Sequence, residues 1–322
     1  MQWGAALKQA EHHPVLLEAA MEALAIRPDG LYVDGTYGRG GHSRALLGRL
    51  GPQGRLLAFD KDPQACADGR QLARADERFT IHRGSFARLT AVLEAEGLTG
   101  RVDGLLLDLG VSSPQLDDGV RGFSFMRAGP LDMRMDPEAG EPVSSWLARA
   151  DRDAIIDVLR SYGDEPFAPR IADAIVRERE QADIGTTQRL SAVITDCLPR
   201  RIQATARNHP ATRSFQALRI FINRELDDLS ELLEQSLTAL APAGRLAVIA
   251  FHSLEDRRVK RFMRDQARPA QPALPMAPRV EPAFTLVGKP VRADESEMQR
   301  NARARSAIMR VAERTRAAGV TS

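Results

Sequence analysis

Four glycines occur within seven residues near the start of the chain, in the segment DGTYGRGGHS at 34–43. The segment lies between an apolar run, typical of a buried strand, and a short amphipathic stretch, typical of a helix. Glycine lets the backbone turn sharply and lets a ligand approach it closely. Loops at the carboxyl ends of parallel strands are also where doubly wound sheets bind ligands. The segment therefore predicts a ligand-binding loop, with a tight turn as the alternative, and Asp34 is a candidate partner for a ligand ammonium group.

The spacing of the glycines leaves the ligand open. A dinucleotide fingerprint reads G-x-G-x-x-G/A, whereas Gly38 begins a segment, GRGGHS, that ends in serine. Asp60 ends the second apolar run, 25 residues after Gly35. An acid in that position can bind the ribose hydroxyls of a dinucleotide or of S-adenosylmethionine. It can equally help to cap the helix that begins near Pro63.

Two further polar clusters follow predicted strands. The first is DLGVSSPQ at 108–115, which brings a carboxylate, two hydroxyls and an amide to the same edge of the sheet as the glycine loop. The second is FHSLEDRR at 251–258, in which His252 leaves a strand end. The alternatives are an ordinary strand-end turn for the first cluster and a structural histidine for the second.

Positive charge is concentrated towards the end of the chain. Residues 252–322 carry 15 Lys and Arg against 8 Asp and Glu, a net charge of +7 on a protein whose total is +2.

Residues 197–224 contain no acid and six arginines, which suit bidentate contacts with phosphate. The stretch predicts an RNA-binding surface, with a solvated basic face as the alternative. The six arginines are Arg200, Arg201, Arg207, Arg213, Arg219 and Arg224.

Composition excludes several classes of protein. No apolar run reaches the length of a membrane-spanning helix, and the first residues lack the apolar core of a secretion signal. The two cysteines, Cys66 and Cys197, lie far apart, as expected of a protein in a reducing cytoplasm. No histidine or cysteine spacing indicates a metal site. We therefore expect a cytoplasmic protein with no metal and no membrane partner.

The order of the predicted elements indicates an α/β fold with a doubly wound parallel sheet. Apolar runs predict strands at 31–34, 55–60, 79–82, 102–108, 245–251 and 306–311. Between 116 and 213 the patterns are helical, with helices predicted at 143–150, 151–162, 167–181 and 188–198. A long helix is predicted at 215–240, and the proline-rich stretch 269–290 is predicted to be a loop or extended. We therefore predict a discontinuous domain, 1–115 and 214–322, with an inserted all-helical domain at 116–213.

Taken together, the motifs resemble those of the bacterial MraW/RsmH methyltransferases. The match runs in the same order along nearly the whole chain. The matching segments are HPVLL at 13–17, DGTYGRGGHS at 34–43, LDLGVSSPQLD at 107–117, RGFSF at 121–125, PLDMRM at 130–135, FHSLEDR at 251–257 and NARARS at 301–306.

This resemblance implies a class I, Rossmann-like methyltransferase with an inserted helical domain. The implied reaction is N4-methylation of one cytidine in the decoding region of 16S ribosomal RNA, with S-adenosylmethionine as the methyl donor. The implied partner is 16S rRNA or the small ribosomal subunit, and a homodimer is left open. The residues that the resemblance assigns to the donor site are Gly40, Gly41, His42, Asp60, Phe86, Asp108 and Gln115.

The residue that activates the target amine is not assigned by the resemblance. Many amino-methyltransferases carry an Asp/Asn/Ser-Pro-Pro-aromatic loop, but here the sequence at 113–116 is SPQL, without the aromatic residue. Ser113 and His252 are the candidates, because each offers an acceptor near the predicted meeting point of the two substrates. Two other functions stay open: a nicotinamide-dependent oxidoreductase on the same sheet, and an RNA-binding assembly factor with a vestigial donor site.

Overall fold

The computed structural model describes residues 14–205, 209–271 and 279–316. Seven strands in this part of the chain form one sheet: β1 Leu31–Asp34, β2 Arg55–Asp60, β3 Phe79–Arg83, β4 Val102–Asp108, β5 Leu240–Ala250, β6 Phe284–Leu286 and β7 Ile308–Arg314. The order across the sheet is β3-β2-β1-β4-β5-β7-β6. Strands β1 to β5 are parallel, and β7 runs antiparallel to both β5 and β6.

Helices cover both faces of the sheet and fill the segment between β4 and β5. Three 3-10 turns accompany them, at Phe86–Arg88, Gly119–Arg121 and Ala302–Ser306. No helix among the described residues is both long and apolar enough to cross a membrane. The α-helices are α1 Leu17–Ala23, α2 Gly41–Leu47, α3 Pro63–Ala75, α4 Leu89–Ala95, α5 Ser113–Asp117, α6 Val143–Arg149, α7 Arg152–Gly163, α8 Ala168–Arg179, α9 Thr187–Cys197, α10 Arg200–Thr205, α11 Thr212–Ile222, α12 Glu225–Ala239, α13 Ser253–Ala267 and α14 Glu295–Arg300.

Successive residues of the central strands contribute to two different hydrophobic clusters. Val33 packs with residues of α4 and α12, whereas its neighbour Tyr32 packs with residues of α1 and α2. Side chains alternate between the two faces of a strand, so both faces of this sheet must be covered. The predicted doubly wound α/β architecture is therefore confirmed, and β1, β2 and β4 have the predicted bounds.

The segment between β4 and β5 is helical throughout its ordered elements and has a hydrophobic cluster of its own. That cluster runs from Phe123 to Leu218 and is centred on α7, α8, α9 and α11. Helix α11 also sends Ile220 into the cluster beneath the sheet. The division into two domains stays a prediction, and we propose that its second boundary lies after α11 rather than at residue 213.

One predicted element is wrong in detail. The single helix expected at 215–240 is broken at Asn223 and Arg224, because Arg224 adopts a left-handed conformation with φ of 53°. The amide of Asn223 binds the backbone of Met133 and Met135, which holds the chain in place at the break. The proline-rich stretch, predicted to be a loop or extended, contains the extended edge strand β6, which pairs with β7. A three-residue edge strand has too short a pattern to detect.

Candidate active site

A cleft of about 340 Å³ opens at the carboxyl ends of β1 and β4. The strand order reverses between these two strands, since β2 and β3 lie on one side and β5 on the other. Such a switch point leaves a crevice that ligands of doubly wound proteins occupy. The lining residues come from the glycine loop, from the loops after β2, β3 and β4, and from α11, α12, α13 and the Ala302–Ser306 turn.

Hydrogen bonds to the Asp34 carboxylate fix the conformation of the glycine loop. Asp34 is fully buried, accepts a hydrogen bond from Ser43 Oγ at 2.7 Å and accepts another from Thr36 N at 3.0 Å. It does not line the cleft, so the expectation that it would meet a ligand ammonium group is not supported. Gly40 does not line the cleft either. Its φ of 69° lets the chain turn into α2, a conformation that glycine adopts readily.

His42 and Asp108 lie next to each other in the wall of the cleft. His42 Nε2 donates to the carbonyl of Val15 at 3.2 Å, and Nδ1 lies 3.6 Å from Asp108 Oδ2. Burial lowers the pKa of His42 to about 4, so the ring is neutral and Nδ1 presents a lone pair. Asp108 Oδ1 is buried and has no hydrogen-bond partner among the described residues. Two adjacent acceptors without a donor between them suit a cationic or N–H ligand group.

Asp60 also presents an acceptor to the cleft. Its carboxylate accepts hydrogen bonds from Gly38 N at 2.7 Å and Asp62 N at 2.8 Å, one on each oxygen. Burial raises its pKa to about 6, although these bonds act in the opposite direction. A carboxylate oxygen can accept more than one hydrogen bond, so both oxygens can still receive ribose hydroxyls. Phe86, at the start of a 3-10 turn, supplies an apolar wall in the same cleft.

Gln115 lines the cleft, but its amide is used within the protein. Its Oε1 accepts from Ser112 N, and its Nε2 donates to Asp62 Oδ2, both at 2.9 Å. Arg121 donates to the same Asp62 oxygen at 2.7 Å. The side chain of Gln115 therefore links the loop after β4 to the residue before α3 by hydrogen bonds, and it fixes the positions of these two segments of the cleft wall.

The structure separates the two catalytic candidates. Ser113 lines the cleft, and its hydroxyl accepts a hydrogen bond from Arg303 at 2.5 Å. His252 is not among the lining residues; it caps α13 by accepting from Glu255 N at 3.4 Å. Its Nε2 lies 3.0 Å from a carboxylate oxygen of Glu255, without hydrogen-bond geometry. The geometry favours Ser113 as the residue near the acceptor and gives His252 a structural role.

The MraW methylase family profile matches residues 9–315, which is almost the whole chain. The chain belongs to the MraW methylase family. It is 55% identical over 309 residues to a protein named Ribosomal RNA small subunit methyltransferase H from Thioalkalivibrio sulfidiphilus, covering 94% of this chain and 97% of that protein. A protein of the same name from Chromobacterium violaceum is 53% identical over 310 residues, covering 95% and 96% of the two chains.

In this MraW family member, the acid-free stretch 197–224 is not one continuous basic surface. Arg219 is largely but not fully buried and forms a two-pronged ion pair with Glu225, with both N–O distances at 2.9 Å, at the wall of the cleft. Arg224 lies near Asp227 and Glu231, while Arg207 lies outside the described residues. Arg200 and Arg201 are exposed. Arg219 is therefore paired at the cleft wall and not displayed on the surface, which does not support the expectation that it contacts RNA phosphate there.

The sequence does not reveal the roles of Arg219, Glu225 and Arg303 in the cleft. It shows Arg219 only as one charge of a basic stretch, and it gives no sign of a role for Glu225. The two arginines act through partners on other elements, which a count of charges cannot identify. A signal did exist for Arg303, because it lies in the NARARS segment that resembles the family.

Proposed function

We propose that this chain is an S-adenosylmethionine-dependent methyltransferase of small-subunit ribosomal RNA. The observation that carries the proposal is the cleft at the switch point, where the donor-side residues Asp60 and Asp108 adjoin the Ser112–Ser113 loop. Family membership and the names of the relatives support the same reaction. The specific reaction that we propose is N4-methylation of one cytidine in the decoding region of 16S rRNA.

The cleft fits S-adenosylmethionine by the chemistry of its groups. Asp60 would accept from the ribose hydroxyls, and Phe86 would lie against the adenine ring. The unpartnered Oδ1 of Asp108 and the Nδ1 lone pair of His42 would receive the methionyl ammonium group. When bound, S-adenosylmethionine supplies a methyl group activated by a cationic sulfur.

Activation and positioning of the cytosine amine would be the role of the loop after β4. The exocyclic amine of cytosine is a weak nucleophile because its lone pair is delocalised into the ring. Acceptors beside the amine favour the form whose lone pair is available, and fixed positioning removes much of the entropic cost. We propose that the Ser113 hydroxyl and the carbonyls of this loop, which lines the cleft, are these acceptors. The base must leave its stack to enter, so a single-stranded or splayed RNA site is expected.

A basic face on α13 offers a path for the RNA backbone. This helix begins beside the cleft, where Glu255 forms part of the wall. Four exposed basic residues of the helix, and one directly after its end, are spaced so that they lie along one side. Within the described part of the chain, only Arg264 among them has an ion pair, with Asp265. We propose that rRNA phosphates lie along this face, formed by Arg257, Lys260, Arg261 and Arg264 of α13 and by Arg268 directly after it.

The test is methyl transfer to defined RNA. Purified protein is incubated with S-adenosylmethionine carrying a labelled methyl group and either naked 16S rRNA or small subunits, each from cells that lack this activity. Nucleoside mass spectrometry then identifies the product. We expect N4-methylcytidine at one position in the decoding region. Labelling of another base would contradict the N4 assignment.

Two controls separate the rival functions. Calorimetry with NAD distinguishes a nicotinamide-dependent oxidoreductase, for which NAD would bind and S-adenosylhomocysteine would not. Tight binding of rRNA with no methyl transfer on either substrate would instead favour an assembly factor. The homodimer and the cytoplasmic location stay predictions, which sedimentation and cell fractionation would check.

A further inference from the structure

Arg303 connects the end of the chain to the acceptor side of the cleft. It lies in the Ala302–Ser306 turn, just before β7, and its half-buried guanidinium group lines the cleft. One N–H of this group donates to Ser113 Oγ at 2.5 Å, across 190 residues of sequence. The contact places a positive charge next to the loop on which the target base is proposed to lie.

Other buried or half-buried arginines near the cleft have a carboxylate partner. Arg121 pairs with Asp62 at 2.7 Å, and Arg219 pairs with Glu225 at 2.9 Å. Among the described residues, Arg303 has no carboxylate within ion-pair distance, and its hydrogen-bond partner is a neutral hydroxyl. Burial lowers the pKa of Arg303, and Asp117 offsets this only in part.

An arginine that is partly withdrawn from water without a carboxylate in direct contact is costly to the fold. Guanidinium carries five N–H donors in a rigid fork, so most of them stay available after one bond to Ser113. The fork matches the oxygens of a phosphate or a carboxylate. Arg303 therefore has both the charge and the free donors that an oxyanion of a substrate would satisfy.

We propose that Arg303 binds an oxyanion of a substrate at the acceptor end of the cleft, and that this oxyanion is a backbone phosphate of the target nucleotide or of its neighbour. The proposal rests on the proposed function, since it takes RNA to be the acceptor. The contact with Ser113 favours an RNA phosphate over the methionyl carboxylate of the methyl donor, because Ser113 belongs to the loop after β4, where the target base is proposed to bind. Arg303 is thus a residue that positions the RNA.

The test compares Arg303→Gln with Arg303→Lys and with Arg305→Gln. Arg305 lies in the same turn but is exposed and does not line the cleft, so it is the matched control. Binding of a 16S decoding-region RNA is measured by filter retention at several salt concentrations, and binding of S-adenosylhomocysteine is measured by calorimetry. Thermal unfolding shows whether each variant is folded.

We expect Arg303→Gln to weaken RNA binding by about 10- to 100-fold and to reduce the slope of log K against log salt by about 0.7–0.9. Arg303→Lys should recover part of the affinity, because it keeps the charge but loses the fork. In turnover, KM for RNA should rise more than kcat falls. Arg305→Gln should keep wild-type affinity to within a few-fold.

Each outcome decides the proposal. If Arg303→Gln weakens S-adenosylhomocysteine and leaves RNA binding unchanged, the oxyanion is the donor carboxylate and the phosphate assignment is overturned. If neither ligand is affected in a folded variant, Arg303 binds no oxyanion. RNA binding requires no turnover, so a wild-type protein that binds RNA without methylating it would contradict the proposed function and still allow this test.

Discussion

Asp60 offers the most direct test of the donor site. Replacing Asp60 with asparagine removes the negative charge but keeps the side-chain shape. The carboxylate accepts two backbone hydrogen bonds within the protein, from Gly38 and Asp62. The proposed ligand contacts are additional, because they use the remaining acceptor positions of the two oxygens. Asparagine has one acceptor oxygen, so it also loses one of these two backbone hydrogen bonds, and thermal unfolding must accompany the measurement of affinity for the donor.

The size of the effect follows from the charge. In the protein without bound donor, burial raises the pKa of Asp60 from its ordinary value of 3.8 to about 6. This rise corresponds to about 3 kcal/mol, so the ionised carboxylate is held at a cost to the fold at neutral pH. Ribose hydroxyls bind best to the ionised form. Losing such charge-assisted bonds costs about 1.5–3 kcal/mol, or about 10- to 100-fold in affinity for the donor.

The raised pKa also sets the direction of the pH dependence. Folding favours the protonated form of Asp60, so its contribution to stability is present below about pH 4 and is lost as the pH rises through about 6. Binding of the donor favours the ionised form instead. We expect donor affinity to be constant above pH 7 and to fall by about ten-fold at pH 5, one unit below the pKa.

The assay is calorimetry with S-adenosylhomocysteine from pH 5 to pH 8. Asp60→Asn should bind weakly at pH 8, and its affinity should change less with pH than that of the wild type. Asp157→Asn, the same chemical change on an exposed face of α7, is the control and should resemble the wild type. Wild-type affinity in a folded Asp60→Asn variant would remove Asp60 from the donor site.

Two further predictions concern charges at and near the cleft. Glu225→Gln removes the carboxylate that pairs with the largely buried Arg219, and it should lower the free energy of unfolding, measured with urea, by about 1.5–3 kcal/mol. Glu231→Gln at the exposed pair with Arg224 should cost less than about 1 kcal/mol, and equal losses would contradict the argument. On the basic face of α13, three arginines are changed to glutamine: Arg257, Arg261 and Arg268, the last directly after the helix. The slope of log K against log salt for rRNA binding should fall by about 0.7–0.9 per lost phosphate contact, and the same change at Arg200 and Arg201 tests the rival surface. An unchanged slope for the first variant would show that this face does not bind phosphate.

The sequence alone determined the fold class and which edge of the sheet carries the candidate site. Apolar runs such as 102–108 are bounded by polar or glycine-containing loops, so their strands could be predicted with their bounds. The carboxyl ends of parallel strands meet at one edge of a sheet, so Asp60, Asp108 and the glycine loop could be expected to lie together there. These inferences succeeded because periodicity and strand direction are local properties of the chain.

Tertiary structure decided what each side chain does within the site. Gln115 and Asp62 are 53 residues apart, and Arg303 and Ser113 are 190 apart, so no local pattern shows that they meet. The same holds for the helix break at Arg224, which depends on contacts of Asn223 with the inserted segment. A sequence shows the number of charges, but only packing decides which charge is buried and which partner it finds.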